Sequence, residues 1–101
     1  MPKGYWIAHV EVTDPEVYKK YVAANGAAFA KYGGRFLVRA GKHVVDKGKA
    51  KSRHVVIEFR DYETAIACCD SPEYRDAARL RDAASDADLV IVEGYDGPQP
   101  G

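Results

Sequence analysis

From Tyr5 to Val12 the chain reads YWIAHVEV, aromatic and β-branched residues alternating between two sides, which predicts a first strand. The period then lengthens. Val17, Tyr18, Tyr21, Val22, Ala24, Ala28 and Phe29 recur at three- and four-residue steps and predict an amphipathic helix to about Tyr32. Asp14 is placed to cap that helix, Pro15 fits its first position, Glu16 suits the positive end of its dipole, and Gly33-Gly34 ends it. Asn25-Gly26 is a candidate kink within it. A second strand is expected from Arg35 to about Ala40, with Gly41 interrupting or bulging it and HVVD, residues 43–46, as a candidate continuation before the polar turn DKGKAKS. RHVVIEF, Arg53 to Phe59, predicts a third strand, and Asp61 caps a short helix through Ala65, Ile66, Ala67 and Cys68. Ser71-Pro72-Glu73 repeats the cap, proline, acid order of Asp14-Pro15-Glu16 and opens another helix. No G-x-S-x-G pattern surrounds Ser71, so it reads as a cap and not as a nucleophile. ADLVIVEGY, Ala87 to Tyr95, predicts a last strand, and DGPQPG a frayed tail.

The order strand, helix, strand, strand, helix, strand divides into two similar halves. It predicts an α+β fold of the ferredoxin-like, split βαβ kind, four antiparallel strands with helices on one face. Residues 1–96 are expected to form a single domain, with 97–101 as a flexible tail. Strand parity sorts the side chains. Val55, Ile57 and Phe59, Phe36 and Val38, and Ala8, Val10 and Val12 are assigned to the face under the helices. Tyr5, Ile7, His9, Glu11, Arg35, Leu37, Arg39, His54, Val56, Glu58 and Arg60 are assigned to the other, and the last strand is apolar on both sides through Leu89, Val90, Ile91 and Val92. A face left to water is usually more uniformly polar, and a core face would carry no arginine. This mixture fits a sheet covered by a second copy of itself, so a homodimer pairing through the sheet face is expected.

Composition narrows the picture. A chain of 101 residues supports one core, and its apolar share of 47% is that of a folded protein. Fifteen basic residues balance fifteen acidic ones, which argues against nucleic acid or an anionic membrane as partner. The local run Lys47, Lys49, Lys51 and Arg53 holds no aromatic residue to stack on bases and reads as a solvated loop. No apolar run approaches the ~18 residues of a membrane helix, and no cleavable leader is visible. Cys68 and Cys69 are adjacent and cannot staple distant segments, so they read as packing residues in a reducing compartment, the cytoplasm.

The candidate chemistry lies on the mixed face. Arg39 can fork onto a carboxylate or phenolate, Glu58 or His9 can move a proton, and His54 is a weaker ligand-binding candidate. Glu58 enclosed without a partner would have the raised pKa of a general acid or base; paired with Arg39 or Arg35 across the strands, it would only neutralise buried charge. Tyr74, Ala78 and Arg81 recur at four- and three-residue steps, which puts Arg81 on a tyrosine-bearing stripe from which it can reach a ligand anion or a subunit boundary. His43 carries no assignment, and three histidines on separate elements give no metal-ligand spacing.

VTDPEVYKKY, KYGGRFLVRAG, VVIEF, SPEY and the following Arg81 together resemble the bacterial family known as domain of unknown function 1330, within the dimeric α/β-barrel superfamily, over about residues 4–95. The resemblance implies a ferredoxin-like fold and a dimer, and it supplies no agreed reaction. Ala40 precedes Gly41 where members often carry two glycines, and Cys68 and Cys69 stand where members tend to have aromatics. The expected function is the binding of a small anionic or aromatic organic molecule between sheet and helices. Two readings of it compete: a cofactor-independent enzyme of isomerase or monooxygenase type, and a non-catalytic binding or regulatory dimer. No metal or organic cofactor is expected; heme, with His9 as donor, is the remote alternative.

Overall fold

The computed structural model describes residues 2–101 and contains seven elements. These are β1 (Gly4–Val12), α1 (Pro15–Tyr32), β2 (Arg35–Arg39), β3 (Arg53–Phe59), α2 (Tyr62–Asp70), α3 (Pro72–Ala84) and β4 (Ser85–Glu93). The strands form one antiparallel sheet in the order β2-β3-β1-β4, and the fold is ferredoxin-like as expected. β4 starts two residues earlier and ends two earlier than its pattern suggested, because Ser85 to Glu93 pair along the whole of β1. The HVVD segment is not a strand. Residues 40–52 run between β2 and β3 without regular structure, and Val44 is almost fully exposed.

Local chemistry sets the helix ends. Asp14 accepts a hydrogen bond from the Val17 backbone N–H at 3.2 Å, Pro15 opens α1, and Gly33 closes it in the left-handed region at φ 71°. α1 runs unbroken through Asn25-Gly26. Ser71 is shared: its hydroxyl donates to the Cys68 carbonyl at 2.7 Å, ending α2, and accepts from the Tyr74 N–H at 3.2 Å, starting α3. Both groups of that buried hydroxyl are thus used in turning the chain, which is what the cap reading required. A cap of this kind contributes about 1 kcal/mol.

The core fills the space between sheet and helices. Trp6 is its centre, in edge-on contact with Phe29 and Tyr74 at 5.2 and 4.7 Å between ring centroids, and its indole N–H donates to the Ala65 carbonyl at 2.8 Å. Phe59, Ile57, Val10, Ala28 and Cys68 pack around it. Cys68 is buried, and burial pushes its thiol pKa up to about 12, in keeping with a packing role.

One strand breaks parity. Phe36 pairs with Ile57 on the helix side, but Val38 pairs with Val56 and Arg39 with Val55, leaving Leu37 as the extra residue of a β-bulge. From that point the faces of β2 exchange. Val38 joins the outer face with Val56, and Arg39 turns under the helices, where its guanidinium stacks 4.2 Å from the Phe36 ring. The expected placing of Val38 inward and Arg39 outward is therefore reversed, because the irregularity falls at Leu37 and not at Gly41.

Gly4 marks where β1 meets the start of α2. A Cβ there would lie 2.7 Å from the Tyr62 Cα, against backbone that cannot rotate away. Gly4→Ala should therefore lower the stability measured by urea unfolding by about 1–3 kcal/mol; an unchanged midpoint would mean that strand and helix are less tightly apposed.

Candidate functional site

The bulge divides the five expected site residues between the two faces of the sheet. Arg39 and Arg81 reach the helix side; His9, His54 and Glu58 stay on the outer side.

On the helix side a cleft lies between the sheet and helices α1 and α3. It measures about 550 Å³ out to its mouth, of which about 40 Å³ admits the centre of a water molecule. Its walls are apolar and aromatic, with Trp6, Val10, Phe29, Phe36 and Leu89 among them. Its polar lining is Arg39, Arg53, Arg81, Tyr18, Tyr21, Tyr74 and Asn25, with no carboxylate. Arg81 donates from Nη1 to the Tyr74 hydroxyl at 3.1 Å, and the hydroxyls of Tyr74 and Tyr21 share a hydrogen bond of 2.7 Å. The expected stripe of Tyr74 and Arg81 thus becomes a contiguous polar chain. Asp82, at the exposed end, takes the rest of the Arg81 guanidinium at 2.9 and 3.0 Å. Arg53 packs its guanidinium over the Tyr18 ring at 5.3 Å, and its buried Nε–H has no hydrogen-bond partner. An unpaired buried donor on a cation costs free energy that a ligand acceptor would recover.

Arg53, Tyr21 and Asn25 were not singled out by sequence reasoning. For Arg53 the signal was available, since it shares parity with Val55, Ile57 and Phe59. Tyr21 lies on the apolar stripe of α1, where a phenol looks like packing, and Asn25 drew notice only as part of a candidate kink.

On the outer side Glu58 is partnered. It accepts from the Tyr5 hydroxyl at 3.2 Å and faces the Arg35 Nε at 3.9 Å across the β2–β3 pair, so the expected ion pair forms with Arg35. His9 and His54 pair directly across β1 and β3 with their Nδ1 atoms 2.8 Å apart, and the His43 ring stacks edge-on against His54 at 4.4 Å. Desolvation, followed by the neighbouring His43 and His9, lowers the His54 pKa. Among the described residues no group of three or more His, Cys, Asp or Glu is arranged to hold a metal ion. The basic run disperses: Lys51 binds Asp88 and Asp86 at 2.7 and 3.5 Å, Arg53 enters the cleft, and Lys47 and Lys49 stay in the exposed loop. No described helix is long and apolar enough to cross a membrane.

Residues 3–95 match the family described as domain of unknown function (DUF1330), and the chain belongs to that family. No curated protein matches it. Among solved structures it is similar to a protein of unknown function from Rhodopseudomonas palustris, at 17% identity and a TM-score of 0.76, over 95% of this chain and 85% of that one. It is also similar to SnoaB, a cofactor-independent oxygenase from Streptomyces nogalater, at 16% identity and a TM-score of 0.63, over 99% and 97% of the two chains. A third is a dimeric ferredoxin-like protein of unknown function from Thermobifida fusca, at 17% identity and a TM-score of 0.62, over 91% of each chain. At these identities the likeness concerns the fold.

The phenol pair gives the cleft a titration signature. Burial, then the charge of Tyr74, raises the Tyr21 pKa far above the ordinary 10.0, and burial raises Tyr74. The folded chain therefore keeps protons that the unfolded chain releases above pH 10, so stability falls as pH climbs past that value. Absorbance at 295 nm through an alkaline titration should show Tyr21 and Tyr74 still protonated well above pH 10, and Tyr21→Phe should leave the early phase intact. If that substitution removed part of the early phase, the pair would not be sealed.

Proposed function

We propose that the chain is one protomer of a homodimer that pairs through the outer face of its sheet and binds a small aromatic or otherwise apolar organic anion in the cleft beneath its helices. The observation that carries the ligand class is the cleft's charge: three arginines line it with no acid among the lining residues, Asp82 at the exposed end meets Arg81 alone, and an Arg53 donor has no partner. A carboxylate or phenolate would satisfy that donor and offset the arginines, while aromatic walls take the ligand body. Pairing is supported by the exposed Val38, Val90 and Val92 beside Ile7 and Val56, an apolar patch ringed by ions, and by the dimeric state of the Thermobifida fusca relative.

Between the two functional readings the geometry favours binding. Glu58 and His9, the expected proton-transfer pair, and His54 face away from the cleft, whose lining offers no carboxylate or imidazole to abstract a proton at neutral pH. Arg39 and Arg81 keep their ligand-binding role, joined by Arg53. A cofactor-independent reaction like that of the oxygenase SnoaB would need a substrate that arrives already ionised, held by these arginines. The two free cysteines fit the cytoplasm.

Mass spectrometry of small molecules released on denaturing the purified protein should find an apolar organic acid, and Arg53→Gln should reduce its recovery at least tenfold without loss of fold. Recovery of a neutral or cationic compound, or full retention by Arg53→Gln, would refute the proposed ligand class.

A further inference from the structure

The chain has three histidines, and the fold gathers all of them on the outer face of the sheet. His9 comes from β1, His54 from β3, and His43 from the segment between β2 and β3, separate elements brought to one cluster by strand pairing and by the return of that segment over the sheet. The contact at its centre constrains the protons. With the Nδ1 atoms of His9 and His54 2.8 Å apart, one nitrogen donates and the other must accept, so the contact exists only while at least one ring is neutral. Full protonation would set two N–H groups against each other and add the His43 charge beside them.

The acids in reach are already engaged, and only Asp88 also feels the charge of His9. On β4, Asp88 stands opposite His9, but it and Asp86 are engaged by Lys51 from the β2–β3 segment. On β1, Glu11 accepts from the hydroxyl and backbone N–H of Ser52 at 2.7 and 3.2 Å. On β3, Glu58 is held by Tyr5 and Arg35. Each carboxylate around the cluster thus has a partner of its own.

We propose that this histidine cluster makes the pairing of two copies proton-sensitive: neutral imidazoles permit the sheet faces to close, and protonation in mildly acidic conditions drives them apart. The inference rests on the reading that the outer face is where copies meet. Covering the cluster with a second sheet removes the water that would solvate new charge, so protons bind more readily to separated chains than to paired ones. By linkage, pairing weakens as pH falls below the value at which the separated chain takes up that proton, and is unaffected well above it. The lowered His54 pKa places that weakening on the acid side of the ordinary histidine value.

Sedimentation equilibrium of the full chain at pH 7.5 and pH 5.5, with circular dichroism to verify that it stays folded, tests this. One proton excluded per copy raises the dimer dissociation constant about tenfold or more at pH 5.5. The double variant His9→Gln, His54→Gln, which keeps neutral hydrogen-bonding side chains at the central contact, should lose most of that pH dependence. A parent dimer with the same dissociation constant at both pH values overturns the proton-sensitivity alone, as does a double variant that still weakens like the parent. A parent that is monomeric even at pH 7.5 overturns the pairing reading, and this inference with it.

Discussion

Side chains alternate along each strand of this sheet, and the alternation is broken once, at Leu37, in a way that decides where its charged groups go. A strand buried on one side and paired on the other cannot change faces gradually; an extra residue exchanges every later position. Here the exchange moves Arg39 from the company of Glu58 to that of Phe36 and Val55, and moves Val38 out beside Val56. One face thereby gains a third arginine, and of the three only Arg81 meets a carboxylate, that of Asp82. The other gains an apolar residue for a patch that already holds its ions in closed pairs.

The two faces then do different work. Beneath the helices, aromatic walls flank the guanidiniums, and on the proposed reading a partly buried guanidinium such as that of Arg53 acts on a ligand anion more strongly than it would in solvent. Trp6 ties this space together, since its ring touches Phe29, Phe59 and Tyr74 while its N–H binds α2. Tyr74 in turn carries the hydrogen bonds that hold Arg81 and Tyr21, so the core and the cleft share a wall. On the outer side, Lys51 bridging to Asp86 and Asp88, and Arg35 to Glu58, leave the valines and the histidine cluster as the groups whose state depends on what covers them.

The fold was legible because its signals are local. Asp14, Asp61 and Ser71 each cap a helix as their neighbours suggested, and the strands announced themselves by two-residue alternation. The site was half legible. Arg81 and Tyr74 were linked by helical spacing, which survives folding; Arg39 was placed by counting along a strand, which fails at the first bulge. Leu37 carries no glycine or other mark of irregularity, and the nearby Gly41 drew attention to the wrong position. Arg53 had the correct parity but looked like the end of a basic loop. The histidine cluster was beyond sequence reasoning, since His43 reaches His54 only through a segment with no regular pattern.

The side-chain Nε–Hε signals of arginine, followed by NMR as benzoate is titrated into the protein, test this partition most directly. Benzoate serves as a simple aromatic carboxylate. Saturable shifts at Arg39 and Arg53, with Arg35 on the outer face unmoved, are the predicted result. Shifts at Arg35 with Arg39 and Arg53 silent would contradict it, and would return the anion site to the opposite side of the sheet.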